Sequence, residues 1–351
     1  MNAPLPFASC PIPTSRYDRV MLGHGSGGRL SHELLTRVFL PAFSNPALAA
    51  LEDQATVAAG ESGRIALTTD SFVVSPLFFP GGDIGKLAVY GTVNDLAVGG
   101  AEPRYLTASF ILEEGLAISE LERVVTSMRE ACLIAGVTLV AGDTKVVGRG
   151  KADGVFITTT GVGIVPRETR LTISSAQPGD KVIVSGTIGD HGVAIMSVRQ
   201  GISFETELRS DCAPLTELCQ AILRAAPQTR CMRDPTRGGV ASALNEIAAA
   251  SNMGMVIDEE ALPLRPEVQG ACEMLGLDPL HVANEGKLVA VVPQDQADAA
   301  LEAVRSHPLG AEASIIGSIA QGPARMVRLR SAVGGERLVA LLAGEQLPRI
   351  C

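Results

Sequence analysis

Tyr105-Leu106-Thr107-Ala108-Ser109-Phe110-Ile111-Leu112 alternates in hydropathy, with Leu106, Ala108, Phe110 and Leu112 on one face, as a half-buried strand does. After it, Ser119 and Glu122 form a capping-box pattern. The helix this predicts carries Leu121, Val124, Val125, Met128, Cys132 and Ala135 at helical spacing, and Gly136 ends it. Val137–Ala141 reads as the next strand. Working outward, Arg64–Val74 is strand-like, Asp83–Ala97 is helical up to Gly99-Gly100, and Val155–Val165 is a further strand. The order strand, helix, strand, helix, strand, strand predicts an α/β (α+β) layer.

A polar stretch from Pro166 to Gly179 marks a domain boundary, and a second series follows. Strands are predicted at Lys181–Ser185, Met255–Asp258, Lys287–Val292 and Ser314–Ile319. Helices are predicted at Asp190–Arg199, Pro214–Ala225, Gly239–Ala250, Pro266–Leu275 and Gln294–Ser306. A hairpin joins Met326–Arg330 to Arg337–Leu341 through Gly334-Gly335. The chain divides into an N-terminal arm with a Gly-rich segment (1–45), two α/β domains (46–166 and 176–343) and a tail (344–351).

Composition bounds the function. The chain has 351 residues, 46% hydrophobic and 19% charged, which is enough for two cored domains. Aromatics make up 3%, so the core is built from Val, Leu, Ile and Ala. A formal net charge of -9 argues against a nucleic-acid-binding surface. No apolar run approaches the ~20 residues a membrane span needs, and the start lacks the apolar segment of a signal peptide. Seven Cys without CxxC spacing suggest neither a disulfide framework nor structural zinc, which predicts a reducing cytoplasm.

Several acidic residues stand at predicted strand ends or in loops beside small residues: Asp53, Asp70, Asp95, Asp143 in Gly142-Asp143-Thr144-Lys145, and Asp234 in Asp234-Pro235-Thr236-Arg237-Gly238-Gly239. Carboxylates so presented suit a hard cation such as Mg²⁺, which arrives with phosphates. Singly, each also reads as a turn or cap residue. Gly23-His24-Gly25-Ser26-Gly27-Gly28 invites a phosphate, yet it is neither a Walker loop nor a dinucleotide fingerprint. Lys145 reads as a phosphate ligand, a base or a solvated surface residue. Glu285, ahead of a strand, reads as a metal ligand, a base or a turn residue. His24 and His191 have no second His at ligand spacing, so a transition-metal site is not expected. The last residue, Cys351, ends Leu347-Pro348-Arg349-Ile350-Cys351. A thiol on such a tail travels between sites, and Arg349 is expected to favour its thiolate.

The glycine segment, Thr68–Gly85, Thr92-Val93-Asn94-Asp95-Leu96-Ala97, Gly142-Asp143-Thr144-Lys145, Asp234–Val240 and the Pro348-Arg349-Ile350-Cys351 ending together resemble the hydrogenase-maturation carbamoyl dehydratases, the HypE family. The internal motifs are shared with aminoimidazole ribonucleotide synthetase, selenophosphate synthetase and thiamine-monophosphate kinase, and the cysteine tail singles out the maturation family. The resemblance runs from about residue 17 to the end. It implies the two-domain aminoimidazole ribonucleotide synthetase-like fold, with N-terminal sheets pairing into a barrel in a homodimer. It implies a carbamoyl group placed on Cys351 by a carbamoyltransferase (HypF-like) and dehydrated with ATP to a thiocyanate. The cyano group then passes through a scaffold complex (HypC–HypD-like) to the iron of a nickel–iron hydrogenase. By the same resemblance Cys351, Lys145 and Glu285 are catalytic. Asp53, Asp70, Asp95, Asp143 and Asp234 hold Mg²⁺. Gly27, Gly28, Asp70, Asn94, Gly142, Asp143, Thr144 and Lys145 contact ATP. The alternatives are another phosphoryl-transfer enzyme of the superfamily, which would need no tail thiol, and a non-catalytic thiol scaffold, which would need no carboxylate set.

Overall fold

A computed structural model describes residues 28–34, 36, 50–58, 63–201, 208–322, 324–342, 347 and 349–351. Gly27, His24 and most of the predicted arm lie outside the described residues. Gly28 is buried just ahead of a short helix, α1 (Arg29–Leu34).

The first sheet holds β1 (Ala55–Ala58) and β2 (Arg64–Phe72). After a two-stranded turn, β3 (Phe78–Phe79) with β4 (Gly82–Asp83), comes helix α2 (Ile84–Val98). Then follow β5 (Glu102–Glu113), helix α3 (Ile118–Ala135), β6 (Thr138–Val147) and β7 (Val155–Val165). The strand order is β1-β2-β7-β5-β6, antiparallel except for the β5/β6 pair, which needs a crossover and has α3 for it.

Helix α2 is largely apolar, and the structure buries 13 of its 15 residues, so it is the centre of the domain rather than a surface helix. It packs on β2 and β7 and on α3. Asp83 caps its start, accepting from the N–H groups of Gly85 (2.8 Å) and Lys86 (3.1 Å) and the hydroxyl of Ser127 (2.6 Å). A Cβ on Gly85 would lie 2.5 Å from the Val124 carbonyl, so glycine there is what lets α2 and α3 touch. Leu87, Val93 and Leu96 are fully enclosed, each contributing ~1.5–3 kcal/mol of burial.

The structure corrects parts of the sequence reading. The predicted capping box does not form: Ala117 occupies the cap position without a side-chain bond, and Ser119 lies inside the helix. Val125 is 48% exposed; the buried face of α3 runs through Val124, Ser127, Met128, Ala131 and Cys132. Asp70 sits within β2, not at its end. Gly142-Asp143-Thr144-Lys145 lies inside β6, which runs past the predicted Ala141 end because it pairs in register with β5 as far as Val147.

The second sheet is seven-stranded, in the order β14-β13-β10-β12-β8-β11-β9. In chain order its elements are β8 (Lys181–Val184), α4 (Asp190–Gln200), α5 (Thr216–Ala225), β9 (Cys231–Arg233), α6 (Gly239–Ser251) and β10 (Gly254–Asp258). Next come α7 (Pro266–Leu275), β11 (Val289–Val292), α8 (Ala297–Arg305), β12 (Ser314–Ala320), β13 (Val327–Arg330) and β14 (Glu336–Leu338). Alternate residues of the central strands face two cores: Val182, Val184, Val289 and Val291 pack with Leu244 and Ile247, while Ile183, Ala290 and Val292 pack with Leu218, Ile222 and Val304. Both faces are covered, which explains the unbroken apolar runs in the sequence. Strand β9 was not read from the sequence; it is too short to show a period, yet it delivers Arg233 and Asp234 to the junction between the two sheets.

Candidate active site at the junction of the two sheets

Five segments converge at this junction: the approach to β1 carrying Asp53, the middle of β2, the face of α2 carrying Asp95, the turn from β9 into α6, and the loop Asn284-Glu285-Gly286 before β11. Asp53, Asp95 and Asp234 each offer a carboxylate oxygen within 4.8 Å of the others. Asp70 reaches the same cluster through a side-chain hydrogen bond with Asp95. Thr68 Oγ1 lies 2.6 Å from Asp95 Oδ2 and 3.0 Å from the Asp53 carbonyl. The covered face of β2 carries Ala66, Thr68, Asp70 and Phe72, so the two-residue period of the strand aims Thr68 and Asp70 at α2.

The cluster is electrostatically strained. Burial, then the charges of Asp70 and Asp234, push the Asp95 carboxyl well above the usual carboxylate range. Asp70, its hydrogen-bonding neighbour, is itself pushed up by burial. Asp234 is raised to about 7, first by burial and then by Asp70. Two arginines offset the negative charge. Arg233 pairs with Asp53 and with Glu246 (2.7 Å), and Arg237 lies beside Cys351, Asp70, Glu285 and Asp95. All the donors are carboxylate oxygens, a set that suits a hard divalent cation and not zinc or copper.

Glu285 is 3% exposed and sits beside the cluster. Burial, then Asp211 and Asp234, push its carboxyl well above the usual range. Its position is set by neighbours the sequence reading did not single out. The Glu285 N–H donates to Asp211 Oδ1 (3.0 Å), and Asp211 is paired with Lys287 (3.4 Å). A Cβ on Gly286 would lie 1.9 Å from the Asp211 carbonyl, so no other residue fits there. Asn284, fully buried, accepts from the Gly189 N–H (2.8 Å) and donates to the Pro235 carbonyl (3.0 Å), tying the Asp234 turn to the Glu285 loop.

The tail enters this site. The Cys351 thiol lies beside Glu285, and burial, reinforced by Glu285 and Asp70 against the pull of Arg237, pushes it up to about 12. The thiol is therefore held protonated. The expected help from Arg349 is absent, because its guanidinium pairs with Asp153 (3.0 Å) away from the sulfur. The tail backbone pairs like a strand: Val73 N–H donates to the Cys351 carbonyl oxygen (2.9 Å) and Ser75 N–H to the Arg349 carbonyl (3.3 Å). Leu347 and Ile350 are buried among Val193, Val268 and Val282. His191 donates from Nε2 to the Ile350 carbonyl (2.8 Å), and Arg199 donates to the Arg349 carbonyl. His191, in the first turn of α4, is thus in contact with the tail.

Other predicted site residues lie elsewhere. Asn94 is 1% exposed and its amide is fully used: it donates to the carbonyls of Ala213 (3.0 Å) and Glu285 (3.3 Å) and accepts from the Leu215 N–H (2.8 Å). It braces α2 against the second domain. Asp143 shares a register row with Ser109, Thr158 and Ser71, which puts it three strands from β2, ~14 Å at ~4.8 Å per strand. Asp143 and Lys145 point to the open face of the sheet, opposite Asp70, and pair loosely with each other (3.9 Å) in solvent. Gly142 and Thr144 are likewise exposed on the edge strand. Within one chain these four residues do not meet the carboxylate cluster, because alternation along β6 and its place at the sheet edge carry them away.

Two α/β domains with carboxylates at their junction define a class. Residues 51–165 match the family described as AIR synthase related protein, N-terminal domain, and residues 177–329 match its C-terminal domain. Within that class the chain belongs to the carbamoyl dehydratase HypE family. It is 54% identical over 333 residues, 95% of each chain, to the carbamoyl dehydratase HypE of Cupriavidus necator. A solved HypE in a HypE–HypF complex is 48% identical with a TM-score of 0.83, covering 88% of this chain and 99% of that one. A HypE solved with ATP is 47% identical with a TM-score of 0.80, covering 95% of this chain and all of the other. Among the described residues, no helix is long and apolar enough to cross a membrane.

Proposed function

We propose that this protein dehydrates a carboxamide carried on Cys351 to a thiocyanate at the expense of ATP, for the cyanide ligand of a nickel–iron hydrogenase. The observation that carries this reading is the tail sulfur set beside a buried carboxyl of raised basicity and a carboxylate cluster. Asp53, Asp95 and Asp234, with Asp70 behind them, would hold Mg²⁺, which supplies charge neutralisation for phosphoryl transfer. Once the carboxamide is on the sulfur, its nitrogen lies within reach of Glu285. Glu285 takes one N–H proton as the carboxamide oxygen accepts the γ-phosphoryl group, giving an O-phosphorylated imidate. The C–O bond then breaks, phosphate leaves with the electron pair and takes the second N–H proton, and the C≡N bond forms. Arg237, between Cys351 and the carboxylates, balances negative charge in that space.

The reaction needs the tail in and out. The sulfur here faces Glu285, whereas a carbamoyltransferase of the HypF type must reach it from outside. The energetics of docking are balanced. Burial of Leu347 and Ile350 contributes ~3–6 kcal/mol. The bonds to Val73, Ser75 and His191 add ~2–4 kcal/mol. Ordering the backbone of 347–351 costs ~5–10 kcal/mol. The sum lies near zero, as a tail that visits two places requires.

The open face of the first sheet, with Leu67, Tyr105 and Ile111 exposed and β6 an unprotected edge, supports the homodimer reading. A second copy against that face is the means by which Asp143 and Lys145 would meet a cluster. A reducing cytoplasm, which keeps Cys351 free, is the compartment this chemistry needs, and a HypC–HypD-like scaffold would take the cyano group. Intact-mass measurement tests the function. The chain carbamoylated by its transferase should lose the mass of one water on adding Mg·ATP, and an unchanged mass rejects the dehydratase.

A further inference from the structure

His191 is fully buried, yet both its ring nitrogens are engaged. Nδ1 lies 2.8 Å from Ser210 Oγ and Nε2 lies 2.8 Å from the Ile350 carbonyl. Ser210 Oγ also accepts from the Cys212 N–H (3.2 Å), which leaves its own proton for Nδ1. The imidazole is thus the neutral tautomer with its proton on Nε2, aimed at the carbonyl next to Cys351. Burial, which lowers the basicity of the ring, favours the same neutral form. The mount is rigid. The ring packs edge-on against Phe79 (5.6 Å between centroids, 83° between planes), and the Ser210 N–H donates to the Pro80 carbonyl (2.9 Å). Arg199, at the end of the same helix, donates to the carbonyls of both Ser75 and Arg349.

We infer that His191, its tautomer set by Ser210 and its work shared with Arg199, is the latch that holds the tail docked and so sets the fraction of chains whose Cys351 faces Glu285. This rests on the dehydratase reading for its purpose, though not for its geometry. His191 is a positioning residue: it touches the tail backbone and not the sulfur, and it acts through where the tail sits. Because docking is otherwise balanced, loss of one bond moves the population. When the tail leaves, water replaces the imidazole at the Ile350 carbonyl. Without the imidazole, that carbonyl is unsatisfied only in the docked state.

The test compares His191→Phe, which keeps the ring packing and deletes both bonds, with His191→Gln, whose amide N–H replaces Nε2–H. The rates to follow are iodoacetamide labelling of the Cys351 peptide and single-turnover dehydration of the carbamoylated full chain. His191→Phe should label up to about twofold faster and dehydrate about fivefold slower at unchanged Mg·ATP affinity, and Gln should recover most of both. Opposite movement of the two rates is the signature, since general damage to the fold would not speed labelling while sparing nucleotide affinity. Unchanged labelling, or slower dehydration without faster labelling, overturns the latch. If His191→Phe does not fold, Ser210→Ala must give smaller shifts of the same signs, and their absence also overturns it. If the wild-type chain loses no water, the dehydratase reading falls, while the labelling arm still decides the latch.

Discussion

Glu285→Gln is the perturbation that bears most directly on the mechanism. The amide has the size of the carboxyl, and its place is held by the Asp211 bond to its N–H and by the close approach of Gly286 to the Asp211 carbonyl. The substitution therefore removes basicity and leaves position intact. Loss of a positioned general base costs roughly 10²–10⁴-fold in rate. Here the structure favours the upper part of that range, because the same burial that raises the Glu285 pKa also keeps water from standing in. The assay is rapid-quench intact-mass measurement on chain already carbamoylated, with Mg·ATP affinity by calorimetry as control. The wild-type rate should rise with pH through a pKa above the usual carboxylate range, since the group must lose its proton to act, and the variant should lack that rise. A variant within a factor of about three of wild type, or one that loses nucleotide affinity in step with rate, would refute Glu285 as the base.

Two further outcomes are expected. The folded-state pKa of Asp234 is raised from 3.8 to about 7, so its contribution to stability is present at low pH and is lost as pH rises through about 7. The Tm of magnesium-free protein should fall over that window, and Mg²⁺ should raise Tm more at pH 7 than at pH 5; equal Mg²⁺ effects at both pH values would count against the cluster as the cation site. If Lys145 serves the site of a second copy, Lys145→Ala and Cys351→Ala chains, each inactive alone, should regain dehydration when co-assembled, and mass spectrometry of the carbamoylated Cys351 chain reads it. Mixed assemblies that stay inactive would place Lys145 outside the reaction.

Much of the architecture was legible because its signals are local. The alternation around Leu106 and Ala108, the apolar helix ending at Gly99, and the unbroken Val-rich runs of β8 and β11 each report burial that a short window can carry. Strand β9 escaped because a strand so short shows no period, and the capping box of Ser119 failed because a compatible motif says nothing about which residue the chain turns on. At the site, Asp53, Asp95, Asp234, Glu285 and Cys351 were singled out and the fold brings them together. The bracing role of Asn94 was not legible, since only the packing shows its amide bonded to Ala213, Glu285 and Leu215. Asp143 and Lys145 were placed with the cluster, whereas the register of β6 sets them on the opposite face. Ser210, Asp211 and Asn284 carry no spacing that separates them from ordinary loop residues, and His191 none that separates it from an ordinary helix residue.

From sequence alone came the kinds of chemistry available to this chain: carboxylates for a hard cation, a buried-sheet architecture, and a thiol on a tail, because residue type and local period are written in order along the polymer. Which of those groups share one space was decided by tertiary structure. Distances between segments such as 191, 285 and 351 depend on how two sheets pack, and the proton affinities of Asp95, Glu285 and Cys351 depend on who is nearby once water has been excluded.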